Sequence, residues 1–131
     1  MTPKELIQSM FDELAKGNSR RFVELMADDI TWTVMGRTRW SGTYHGKTKV
    51  LNDLLGVLRA RLDGPYRATA DRILAEGPYV VVQARGDSKT KAGMPYNNEY
   101  CFIYRVEGGK IREVVEYLDT ELVTAALTAE A

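Results

Sequence analysis

The stretch that leaves the chain fewest options is residues 96–119, YNNEYCFIYRVEGGKIREVVEYLD. Two runs rich in Val, Ile, Tyr and Phe flank Glu107-Gly108-Gly109-Lys110. Glycine tolerates the positive φ that a two-residue hairpin turn requires, so the segment predicts an antiparallel pair of strands. Within the second strand, Glu116 stands among Val114, Val115, Tyr117 and Leu118. A carboxylate there is costly unless it faces water or finds a partner, which makes Glu116 the first candidate for function.

The chain upstream is mostly helical. Thr2-Pro3-Lys4-Glu5 is a capping box with proline at the first helical position. Leu6, Ile7, Met10, Phe11 and Leu14 follow at helical spacing up to Gly17. Asn18 opens a second, short helix with Phe22, Val23 and Met26 on its buried face, ended by Asp28-Asp29. A strand is expected over 30–35 and an irregular loop, RTRWSGTYHGK, over 37–47. Leu51, Leu54, Leu55, Leu58 and Leu62 then form a helical stripe closed by Gly64-Pro65. Burying each such leucine contributes roughly 1.5–3 kcal/mol, so the stripe needs a large partner, and a sheet is the one available. From Tyr66 the period becomes extended, with strands expected at 66–75, 79–90, 96–107 and 110–118. Asp119 is placed to cap a last helix carrying Leu122, Val123, Ala126 and Leu127. Three helices followed by a mostly antiparallel sheet and a short C-terminal helix is an α+β order, and a strongly curved sheet would make a cone with an inner cavity.

Composition narrows the function. The 131 residues suit one domain spanning 1–131. Eighteen basic and eighteen acidic side chains cancel without forming blocks, which argues against a nucleic-acid partner and against a polybasic membrane surface. No run of about 18 apolar residues and no leader pattern appears, so a cytoplasmic protein is expected. Cys101 is the single cysteine and His45 the single histidine, which disfavours both an internal disulfide and a zinc site, and no metal is expected. The GTYHGKT stretch has three residues between its glycines where a phosphate-binding loop has four.

The helix–helix–strand opening, ADDITW after the second helix, GTYHGK before the third, and YNNEY…GKI…EYLD at the end together resemble the SnoaL-like branch of the NTF2-like superfamily. That branch includes ketosteroid isomerases, polyketide cyclases and limonene epoxide hydrolase. The resemblance covers essentially the whole chain and implies the NTF2-like cone, an apolar pocket and no cofactor. It divides on activity, because the scaffold hosts enzymes and binding domains alike. The steroid isomerases' carboxylate base falls on Val34, their oxyanion-hole tyrosine on Met10, and their carboxylic acid partner near Cys101 or Phe102, so all three groups are missing here. The epoxide hydrolase pattern of Arg-x-Asp plus a late carboxylate is met by Arg85-Gly86-Asp87 and by Glu116, a glutamate where that enzyme has aspartate. Polyketide cyclases also place an acid–base carboxylate near the end of the sheet.

The candidate catalytic set is therefore Glu116, Asp87 and Arg85. Arg85 and Asp87 share one face of a strand, and two carboxylates around an arginine can divide base and acid roles. The competing reading is a structural ion-pair network tying strands together. Trp32, Trp40, Tyr44, His45 and Tyr100 are the candidate substrate-binding residues, the loop aromatics most of all. A small apolar, polyketide- or terpenoid-like ligand is expected. The alternative is a non-catalytic binding or dimerisation module. Val81, Ile103 and Val115, at alternating strand positions, would supply the outer face of a homodimer.

Overall fold

A computed structural model describes residues 1–127. Helices α1 (Pro3–Leu14) and α2 (Arg20–Leu25) precede strand β1 (Met26–Val34) and the short β2 (Gly42–His45). A continuous helical segment follows, made of α3 (Lys47–Lys49), a π-helical stretch (Val50–Leu55) and α4 (Gly56–Arg61). Strands β3 (Ala68–Glu76), β4 (Tyr79–Gly86), β5 (Glu99–Glu107) and β6 (Lys110–Leu118) lead to α5 (Thr120–Leu127). The strands form one curved sheet in the order β2-β1-β6-β5-β4-β3, antiparallel throughout except for the parallel β1–β6 pair. The helices pack against it, which is the expected α+β, NTF2-like architecture.

Local chemistry accounts for most element boundaries. Thr2 Oγ1 accepts from the Glu5 N–H at 3.1 Å and Glu5 Oε1 accepts from the Thr2 N–H at 2.9 Å, closing the capping box. Leu6, Ile7, Met10, Phe11 and Leu14 are all buried. At the β5–β6 turn Gly108 and Gly109 have φ of 61° and 73°, a conformation that side chains bearing a Cβ rarely adopt. Asp119 Oδ1 accepts from the Leu122 N–H at 3.2 Å, the expected cap of α5.

Three expectations need correction. First, β1 begins at Met26 rather than at residue 30, because the register breaks between Met26 and Thr31 and lets Asp28 and Asp29 both face water. Second, the loop at 37–47 contains β2, whose Gly42–His45 run pairs with the open edge of β1. Third, the strand expected over 79–90 stops at Gly86, and Lys89 and Thr90 make only isolated bridges.

Side-chain parity on the sheet decides what faces the interior. Val80, Val82 and Ala84 of β4, Tyr100, Phe102 and Tyr104 of β5, and Val114 and Glu116 of β6 are buried. Val82, Phe102, Glu116 and Val34 are successive cross-strand partners and form one inward row. Leu74, Val81, Ile103, Val115 and Thr33 form a row on the other face. Asn98 is fully buried and ties the end of β6 to the start of β5. Its Oδ1 accepts from the Asp119 N–H at 2.9 Å, and its Nδ2 donates to the Asp119 carbonyl at 3.1 Å and to the Tyr96 hydroxyl at 3.2 Å. Among the described residues no helix is long and apolar enough to cross a membrane.

Candidate active site

Between the sheet and the helices lies a cavity of about 360 Å³, within the range of small-molecule sites. Its walls are aromatic and aliphatic. Phe11, Phe22, Trp32, Tyr100, Phe102 and Tyr104 come from the helices and the inward strand faces, and Leu51, Leu54, Leu55 and Leu58 from the segment that follows β2. Tyr100 stacks on Phe102 at 4.8 Å, and Trp32 meets Phe102 edge-on at 6.4 Å. The half-buried state of Leu51, Leu55 and Leu58 has a direct cause: they face the cavity instead of packed side chains.

Glu116 is the single carboxylate among the described residues that line this space. Its inward direction follows from strand parity, since it stands directly opposite Phe102 and Val34. Burial pushes its carboxyl up to about 7, against the opposing pull of a hydrogen bond donated by Trp32 Nε1 to Oε1 at 2.9 Å. A carboxyl held near neutrality exchanges protons in either direction at physiological pH, the requirement for general acid–base work. Around it the phenols of Tyr66, Tyr96, Tyr100 and Tyr104 also line the cavity. Burial raises all four, Tyr96 to about 12, and the negative charge of Glu116 adds to each. They are therefore neutral hydrogen-bond donors.

Arg85 and Asp87 are not part of this constellation. β4 turns its even-numbered residues inward, so Arg85 projects from the other face, where its Nε meets Asp71 at 2.8 Å in an exposed ion pair. Asp87 follows the end of β4 and is exposed. Neither residue lines the cavity that holds Glu116.

The expected binding residues also separate. Trp32, Trp40 and Tyr100 line the cavity. Trp40 stacks under the Arg61 guanidinium, whose Cζ is 5.7 Å from the ring centroid, and its buried Nε1 has no hydrogen-bond partner. Tyr44 does not line the cavity and instead donates to the Trp40 carbonyl at 2.8 Å, which holds the loop onto β2. His45 is exposed on the edge strand. Sequence reasoning passed over Tyr66, Tyr96 and Asn98. Tyr96-Asn98-Tyr100 sits at alternating positions leading into β5, so strand parity was the signal that places all three on the inner side. Among the described residues no group of His, Cys, Asp and Glu is arranged to hold a metal ion.

The Trp32–Glu116 bond is open to a direct test. Trp32→Phe keeps the ring and removes the donor, so the charged carboxylate loses stabilisation and the Glu116 midpoint moves upward. A carboxyl-carbon NMR titration checks this, and a midpoint that stays put or falls would mean the indole does not tune the acid.

Comparison with known proteins agrees with the fold. A SnoaL-like domain profile matches residues 7–114. An NTF2-like protein from Burkholderia thailandensis E264 superposes with a TM-score of 0.82 at 23% identity, covering 96% of this chain and 97% of that one. A candidate SnoaL-like polyketide cyclase from Jannaschia sp. CCS1 gives 0.76 at 16% identity, with 98% and 93% covered. TerC, crystallised with polyporic acid, gives 0.78 at 18% identity, with 98% and 100% covered. No curated protein matches the sequence. With the profile spanning most of the chain and the same architecture in all three structures, the chain belongs to the SnoaL-like domain family, within the NTF2-like fold.

Proposed function

We propose that this protein acts on an apolar, oxygenated small molecule by cofactor-free proton transfer at a carbon next to a carbonyl, with Glu116 as the acid–base group. The observation that carries the reading is the isolated carboxyl of Glu116, buried in an aromatic cavity and held near pH 7. In the reaction, a carboxylate oxygen takes the α-proton, the C–H bonding pair forms a carbon–carbon double bond, and the carbonyl π pair moves onto oxygen to give an enolate. A neutral phenol, from Tyr66 or Tyr100, donates to the developing oxyanion. With a β,γ-unsaturated carbonyl the enolate is a conjugated dienolate, and Glu116 returns the proton to its γ-carbon in an isomerisation. In a cyclisation the enolate carbon attacks a second carbonyl, and the proton goes to the resulting alkoxide.

Two further observations favour this chemistry over epoxide hydrolysis. The second carboxylate and the arginine that a hydrolase of the resembled kind would need are Asp87 and Arg85, and both lie outside the cavity. The position on which the steroid isomerases' base falls, Val34, is the direct cross-strand partner of Glu116. A carboxylate on the adjacent strand thus serves the same level of the sheet. The likeness to TerC with polyporic acid and to a polyketide cyclase supports an oxygenated cyclic ligand.

The test is solvent-proton exchange. Cyclic ketones and polyketide-like 1,3-dicarbonyl compounds are incubated with the protein in deuterium oxide and followed by NMR. Deuteration at the α-carbon above background, lost in Glu116→Gln, is the expected result. Equal exchange in both proteins would reject Glu116 as the base.

The outer sheet face favours a homodimer under either an enzymatic or a binding role. Leu74 is 59% exposed, and it continues across the sheet through half-buried Val81, Ile103 and Val115. Light scattering after size exclusion is expected to give twice the chain mass, and Ile103→Lys, which would bury a charge in that face, is expected to give the monomer. A monomeric wild type at micromolar concentration would refute this interface.

A further inference from the structure

We infer that Arg59 selects ligands bearing an anionic group, which it holds at the mouth of the cavity while the apolar body reaches inward toward Glu116. This rests on the cavity being a ligand site, as proposed above, and adds the polarity and orientation of what enters.

The location of the mouth follows from exposure. Of the described residues that line the cavity, Gly56 and Arg59 are the exposed ones, and both lie on α4. Opposite them the lining includes Ser19, which precedes α2, and Val23 within α2, both half-buried. Arg59 Nη2 donates to Ser19 Oγ at 3.0 Å, so the guanidinium spans the opening. The hydroxyl is neutral and occupies one of five guanidinium donors. Arg85, Arg105 and Arg112 each meet a carboxylate, whereas Arg59 meets none among the described residues. Among the described residues no carboxylate takes up its charge.

The interior sets the opposite requirement. The lining away from Arg59 carries apolar side chains, neutral phenols and one carboxyl. An anion placed deep would lose its hydration in an apolar surround and face the charge of Glu116, so it is excluded from the inner end. At the mouth the same anion keeps part of its water and gains a charge-assisted bond from Arg59. The complementary ligand is therefore an apolar acid, oriented with its carbonyl-bearing rings inward. Arg59 is a positioning and specificity residue in this arrangement, not a proton-transfer group.

A matched pair of fluorescent probes tests the inference at low salt: anilinonaphthalene sulfonate, and neutral phenylnaphthylamine, which has the same aromatic skeleton without the sulfonate. The wild type is expected to bind the sulfonate about fivefold more tightly than the neutral probe. Arg59→Met is expected to abolish that preference without weakening phenylnaphthylamine. Arg72→Met, which removes a cation bonded to Gln83 elsewhere on the molecule, is expected to keep it. If the wild type binds the neutral probe but shows no sulfonate preference, or if Arg59→Met and Arg72→Met behave alike, Arg59 is not a selector and the cavity reading stands without it. If neither probe binds, the ligand-cavity reading falls and this inference falls with it.

Discussion

In Glu116→Gln, enolisation is expected to drop by at least about 10²–10⁴-fold, the usual contribution of a positioned acid–base group, while the fold becomes more stable in alkaline solution. Both effects come from one cause. Burial raises the Glu116 carboxyl from 4.5 to about 7, so the folded chain holds this proton more tightly than the unfolded chain does. The group favours folding fully below pH 4.5, and the advantage is lost as the pH climbs through about 7. Above neutrality the folded protein keeps a charge in an apolar cavity, at a penalty on the order of 3 kcal/mol relative to acid. Glutamine has the same shape and no charge to bury. Urea unfolding of both proteins at pH 5 and pH 8.5 isolates the term, because other titrating groups cancel in the difference. The variant should gain on the wild type between the two pH values. A constant difference would show that Glu116 titrates alike in the folded and unfolded chains, and the case for an activated carboxyl would collapse.

Asn98→Ala is expected to act in the opposite direction, lowering stability by about 3 kcal/mol at any pH. The amide satisfies both the N–H and the carbonyl of Asp119 and also reaches the Tyr96 hydroxyl. Truncation removes the partner of the buried Tyr96 hydroxyl and of the part-buried Asp119 N–H and carbonyl. Asp119 begins the turn into α5, whose Leu127 closes one side of the cavity, so the loss spreads from β5 to the site. The denaturation midpoint should fall sharply while the Glu116 midpoint, set by Trp32 and by burial, changes little. A loss below about 1 kcal/mol would show that water replaces the amide freely.

The sequence was most informative where one residue contradicted its neighbours. Glu116 stood out as a carboxylate among apolar strand residues, and it is the buried acid of the cavity. The EGGK turn and the α1 capping box declared themselves because each needs particular residues at fixed offsets. Arg85 and Asp87 were joined to Glu116 on similarity of motif, whereas parity separates Arg85 from it. In YVVVQARG the valines hide the alternation, but Gln83 and Arg85 are polar at odd positions around Ala84, which already turns the arginine outward. Tyr44 and His45 looked like pocket residues because they sat in a presumed loop. That stretch contains an edge strand instead, and an edge strand directs its side chains by pairing. The leucine stripe was visible as a helix, yet its winding was not, since hydrophobic spacing does not distinguish a π turn from an α turn over so few residues.

That winding bears on how the protein can change. The Gly56 N–H reaches back to the Leu51 carbonyl, and a methyl group on Gly56 would sit 2.7 Å from that oxygen, so the π turn depends on a residue with no side chain. A helix wound this way carries one residue more than an α-helix covering the same rise. Loss of a single residue within 50–55 would therefore restore ordinary winding while the turns after it keep their phase. Leu58 and Arg59 would still face the cavity, and the sheet, the buried acid and the outer face would keep their places. The π turn is thus slack built into the cavity wall, taking up one residue of length without re-aiming the entrance.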